Sequence, residues 1–120
     1  MPTSVEVEAF LQEFHARMRV WRVVFRDDRA KNMEALVVLG IVPKTRERLL
    51  AELTVEDFSE GPMKDMLNSG PDLWVFGKKL KEHEVYIKVT LGFESAGPVF
   101  CISFHPSEHA MSFPFKRAKP

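Results

Sequence analysis

The hydrophobic period changes once along this chain, close to residue 70, and that change restricts the possible folds more than any other feature. Before it, apolar residues recur at helical spacing. Phe10, Leu11, Phe14 and Met18 make one stripe, and Leu49, Leu50 and Leu53 another. After it, the runs 73–80, 84–93 and 98–105 are rich in β-branched and aromatic residues, and short polar or Gly-containing breaks separate them. Helices first and a strand meander afterwards predict an α+β domain, with N-terminal helices packed on one face of a C-terminal antiparallel sheet. A length of 120 residues makes this one domain, residues 1–120, large enough to bury a core without covalent staples.

Local signals refine the first half. Thr3 and Glu6 have the spacing of a capping box at the start of the first helix. The run 20–25, Val-Trp-Arg-Val-Val-Phe, reads as a strand. Asp27 or Asp28 is placed to cap a second helix through Met33, Leu36 and Val37, with Gly40 as its stop. Pro43 opens a third helix, and Thr54 with Asp57 marks one further short turn. The stretch 59–71 reads as loop, with a helical turn around 63–67. In the second half, Lys81-Glu82-His83 and the stretch 94–97 suit hairpin connections, and the proline-bearing tail is irregular, with Phe113 and Phe115 able to dock.

The lone Cys101 excludes an internal disulfide and fits a reducing compartment. No apolar run reaches the ~20 residues that span a bilayer, and the N-terminus lacks a signal pattern, so the expectation is a cytoplasmic protein without a membrane partner. Seventeen basic residues balance seventeen acidic ones, unevenly: residues 15–50 hold nine Lys/Arg against four Asp/Glu, and residues 51–84 four against eight. Such runs are ordinarily solvated faces; read functionally, the basic one guides a polyanion.

Side chains alternate along a strand, which separates two faces. In 84–91, Val85, Ile87, Val89 and Leu91 share one face and Tyr86, Lys88 and Thr90 the other. In 99–105, Phe100, Ile102 and Phe104 are predicted on one face and Cys101, Ser103 and His105 on the other. Pairing the two runs with both apolar sets toward the helices gathers Tyr86, Lys88, Ser103 and His105 on the opposite side. Those are the side-chain types that metal-independent RNA cleavage requires. Imidazole moves protons near neutral pH, a phenol donates one, and an ammonium stabilises the phosphorane. The same face with one Tyr, one Lys and one His also describes a plain solvated sheet surface.

Cys101, His105 and His109 are spaced four apart, but four residues of strand span ~13 Å, so Cys101 and His105 cannot share a metal ion; no metal or other cofactor is expected. Lys78, Lys79 and Lys81, close to a hairpin tip, are either solubilising charges or phosphate contacts. Arg22 either points to solvent or reaches across the face that carries Lys88.

The segments WVFGKKLKEHEVYIKVTL and CISFH, with the earlier ALVVLGI, LLAELTVEDF and GPMKDM, resemble the MqsR-type toxins of type II toxin–antitoxin systems, within the RelE-like ribonuclease fold. The resemblance runs from Ala35 to His105, and its most specific piece is the strand VYIKV after a Trp-bearing strand. It implies an endoribonuclease acting on messenger RNA and held inactive by a cognate protein antitoxin. It puts Tyr86 and Lys88 in the site, and Lys64 as a substrate-binding lysine of the preceding loop. Two positions depart from the family: His105 stands where a Lys usually follows the final SF, and Val75 where a Gln follows the strand Trp. Together with the neutral net charge, the Val75 departure also fits a rival of another class, a non-catalytic binding module for protein or nucleic acid.

Overall fold

Thr3 opens the first helix, α1 (Ser4–Val20), through a reciprocal cap. The Thr3 hydroxyl accepts from the Glu6 amide at 3.2 Å, and the Glu6 carboxylate accepts from the Thr3 amide at 2.9 Å. The computed structural model describes residues 1–66 and 70–117. The helix runs further than the sequence predicts, through Val20, and the first strand is correspondingly shorter, β1 (Val23–Phe25). Val20 and Trp21 are both exposed, so burial does not select strand over helix there.

The second helix, α2 (Ala30–Leu39), ends at Gly40 in the left-handed conformation, φ 65°, which glycine adopts without strain. Its start departs from expectation. Neither aspartate caps it: the N-cap is Arg29, and no side chain accepts from the first turn. Pro43 opens α3 (Pro43–Ala51), whose Leu49 and Leu50 are buried, and Thr54 and Asp57 cap a single 3₁₀ turn over Val55–Asp57.

Five strands form one sheet in the order β1-β5-β4-β3-β2, with β2 (Phe58–Met63), β3 (Leu73–Leu80), β4 (His83–Thr90) and β5 (Val99–Pro106). The sheet is mixed: β1 lies parallel to β5, and the other neighbours are antiparallel. Residues 59–63, predicted as loop, belong to a fifth strand; of the helical turn expected at 63–67, Met63 lies in that strand, residues 64–66 form no helix, and Leu67 lies outside the described residues. Gly61 and Pro62 conceal β2 in the sequence, yet at a sheet edge a missing N–H is tolerated, and the pairing with β3 slips twice along this strand. A side chain on Gly61 would come within 2.8 Å of the Leu73 carbonyl.

Val7, Phe10, Leu11 and Phe14 of α1 and Leu49, Leu50 and Leu53 pack on Phe58, Phe76, Val85, Ile87, Val89 and Phe104. Among the described residues this is the core, and it lies on one side of the sheet. Among the described residues no helix is long and apolar enough to cross a membrane.

Alternation along β5 fails at one point. Ile87 pairs with Phe104 and Lys88 with Ser103, but Val89 pairs with Cys101, so Ile102 is an extra residue in a bulge. The slip turns Val99 and Cys101 into the core and Phe100 away from it, which corrects the predicted faces of Cys101 and Phe100. Asn32 of α2 repairs the backbone there. Its amide donates to the carbonyls of Arg26 and Ile102, both at 2.9 Å, and its oxygen accepts from the Phe104 amide at 3.0 Å. Thus α2 holds the edge of β5 that β1 leaves uncovered.

Candidate functional site

Beyond the bulge, β5 and β4 are in register, and Tyr86 stands directly opposite His105 on the side of the sheet away from the core. The two rings stack with centres 5.5 Å apart and planes within 16°. Two residues along β4 on the same side, the Lys88 ammonium lies 5.7 Å from the centre of the Tyr86 ring. Ser103 faces Lys88 across the strand pair. The face assembled from alternation alone is therefore present, with all three groups half-buried and with Tyr86 and His105 lining a cleft.

Two chambers on this face share His105, which also borders a shallow third cavity with Lys31 and Glu108. The larger, about 480 Å³, is walled by Ser59 and Glu60 of β2, by Tyr86, and by residues 107–112 of the tail. The smaller, about 300 Å³, lies between β5 and the start of α2, against Arg29, Lys31, Asn32 and Ser103. The tail is tied across the sheet end. The Ser107 amide donates to the Glu84 carbonyl at 2.7 Å, Met111 and Phe113 cover Gly77, and Phe115 packs on Phe58.

His105 Nδ1 lies 3.0 Å from the Pro106 carbonyl oxygen, which can only accept. The proton is therefore on Nδ1 in the neutral ring, and Nε2 carries the lone pair. Burial pushes the Tyr86 phenol above its ordinary range; the Glu60 carboxylate adds to the rise and Arg29 opposes it. Burial also lowers the Lys88 ammonium, with Arg29 acting in the same direction and Glu60 and Asp65 against it. At neutral pH the phenol keeps its proton and can donate it, and the ammonium is a charge held partly out of water.

The residues expected to bind substrate are scattered. Arg22 precedes β1 at the end of the sheet remote from His105, beside Val99, whose amide donates to the Arg22 carbonyl at 3.1 Å. Lys78 lies on the core side, opposite Val85, and its ammonium pairs with Asp57 at 3.0 Å. Lys79 is exposed at the β3–β4 hairpin end, opposite Glu84. Lys64 is exposed one residue past β2, next to Asp65, whose charge acts on Lys88. Cys101, on the core side, is removed from the site altogether, and its thiol is pushed up by burial to about 12. Two site residues carry no sequence signal of their own. Glu60 sits on the unrecognised strand, and Arg29 enters the site only because α2 docks on β5. The one hint of Arg29 is positional: a cation stands where a helix normally begins with a capping oxygen.

Compared with protein-family models, with curated proteins and with solved structures, the chain matches none.

Proposed function

We propose that this chain is a metal-independent endoribonuclease of RelE-like type, an MqsR-like toxin that cleaves messenger RNA and is neutralised by a cognate protein antitoxin. The observation that carries the reading is the stacked Tyr86–His105 pair, which lines a cleft on the polar side of the sheet, with Lys88 beside it. In the proposed reaction His105 Nε2 takes the proton of a ribose 2′-hydroxyl, and that oxygen attacks the adjacent phosphorus. Lys88 stabilises the negative charge that gathers on the phosphorane. The bond from phosphorus to the 5′-oxygen breaks, Tyr86 gives that oxygen a proton, and the imidazolium restores the phenol. The products are a 2′,3′-cyclic phosphate and a 5′-hydroxyl. Substituting His for the family's Lys adds a proton acceptor at this position.

A second reading, a non-catalytic binding module on the same fold, is favoured by Val75. It pairs with Lys88 on the polar side and is fully buried, so no amide side chain is offered where the family has Gln. Purified protein incubated with RNA, with and without chelator, separates the two readings. Chelator-resistant cleavage that falls at least a hundredfold in His105→Ala and in Tyr86→Phe is the expected result. Intact RNA with the unaltered protein supports the binding module, and equal cleavage by both variants removes these residues from the mechanism.

A further inference from the structure

The start of α2 breaks an electrostatic habit of helices. Four amide N–H groups at a helix N-terminus have no partner within the helix, and the aligned peptide dipoles make that end positive, so carboxylates and hydroxyls collect there. Here the two nearby aspartates are turned elsewhere. Asp27 holds the buried Arg46 guanidinium through contacts of 2.7 and 3.0 Å, and Asp28 pairs with Arg26. The N-cap is itself a cation, Arg29, the first turn contains no acidic residue, and Lys31 follows. Glu108 of the tail pairs with Lys31. Among the described residues the Arg29 side chain makes one hydrogen bond, to the Ile102 carbonyl at 3.3 Å, its charge also acts on Asp28, and the amides of Ala30 and Lys31 have no acceptor.

An independent observation on the facing strand points the same way. Ser103 is 4% exposed and lines the smaller chamber with Arg29, Ala30, Lys31, Asn32 and His105. Its hydroxyl makes no hydrogen bond to a protein group among the described residues and, unlike the sealed Thr90 hydroxyl, keeps an opening to the chamber. A hydroxyl that opens into the chamber without a protein partner is free to donate to a ligand oxygen. The Asn32 side chain is committed to backbone groups of Arg26, Ile102 and Phe104, so it fixes the wall and contributes shape. No carboxylate lines this chamber, and Arg29 and Ser103 offer donors in it beside the His105 ring.

We infer that the N-terminus of α2, with Arg29 and the Ser103 hydroxyl, is a phosphate subsite that holds a backbone phosphate of single-stranded RNA beside His105. The inference rests on the ribonuclease reading for the identity of the phosphate, and on the chamber alone for its charge and shape. Two amides, a hydroxyl and a guanidinium surround a tetrahedral oxyanion better than a planar carboxylate. Lys88, opposite Ser103 on the neighbouring strand, adds its charge from the other side of the same strand pair. Because His105 lines both chambers, a phosphate in the smaller one leaves the attached nucleoside to occupy the larger.

Titration of the ¹⁵N-labelled protein with inorganic phosphate and with adenosine 3′-monophosphate, against chloride at equal ionic strength, tests the subsite without any turnover. Saturable shifts of the Ala30, Lys31 and Ser103 amides with both phosphates and not with chloride are expected. Arg29→Gln, at an exposed position, should weaken phosphate at least fivefold, and Ser103→Ala at least threefold. Non-saturating shifts, or equal affinity in Arg29→Gln, overturn the subsite. RNA cleavage assayed in parallel keeps the two proposals apart. Saturable phosphate binding by a protein that leaves RNA intact retains the subsite and overturns the ribonuclease. Cleavage with unaltered kcat and KM in Arg29→Gln, with no Ala30 shift, does the reverse.

Discussion

Lys88 carries its charge where charge is disfavoured. Half-buried beside an aromatic ring and acted on by Arg29, it releases its proton at a lower pH than a lysine in water. Raising the pH through that lowered value removes the positive charge the phosphorane needs, so RNA cleavage should fall on the alkaline side. Arginine stays charged over the whole range. Lys88→Arg should therefore cleave at most about tenfold more slowly at neutral pH and hold its rate to higher pH than the unaltered protein. A pH–rate profile of both proteins reads this directly; an alkaline limb that stays in place assigns the titration to another group, with Tyr86 the first to test. The trio Tyr86, Lys88 and His105 was legible because it depends on strand alternation and one hairpin pairing, both local. Arg29 was not, since its place in the cleft comes from a helix docking seventy residues away in sequence on β5.

At the scale of elements, the bulge in β5 and the helix that repairs it are one device. An extra residue at Ile102 turns Cys101 into the core while Ser103 and His105 stay on the polar side, so the core and the cleft are both filled. The bulge leaves a strand-edge amide and carbonyl without sheet partners, and the buried Asn32 side chain takes both. Asn32→Ala would orphan the Phe104 amide, while the Arg26 and Ile102 carbonyls keep Arg29 as donor, at roughly 2 kcal/mol in all. The melting temperature should fall by roughly 10 °C, with faster hydrogen exchange at the Phe104 amide. A loss under ~1 kcal/mol would mean that water reaches this edge and the side chain is no tether. Periodicity could not disclose the bulge, because Phe100, Ile102 and Phe104 alternate as a regular strand would. Nor could it disclose β2, whose Gly61 and Pro62 argue for a loop unless the strand is known to lie at an edge.

For the molecule as a whole, six of the seventeen cations are held in ion pairs among the described residues. The basic first half, a candidate polyanion surface by composition, is used in structure. Arg17 binds the carbonyls of Leu91, Glu94 and Ser95, Arg46 is buried against Asp27 and Phe25, and Arg26 and Arg48 pair with neighbouring acids. At the cleft, Lys31 is neutralised by Glu108 of the tail, which leaves Arg29 and Lys88 as the cations a nucleic acid would meet. Glu60 stands close by as an opposing charge. On the proposed ribonuclease reading, such a protein would gain little from displacing counterions and would hold RNA through the shape of its two chambers and the groups that line them. On a single strand, neutralising two phosphates gives a slope of about −1.4 in log affinity against log salt. Binding of an oligonucleotide with 2′-deoxyribose at every position, which lacks the nucleophile and stays intact, should therefore weaken only slightly between low and physiological salt. Fluorescence anisotropy over a salt series measures the slope. A value near −1.4 that flattens further in Arg29→Gln fits recognition by the cleft, whereas a slope steeper than about −3 would require a broad cationic surface that the paired arginines do not provide.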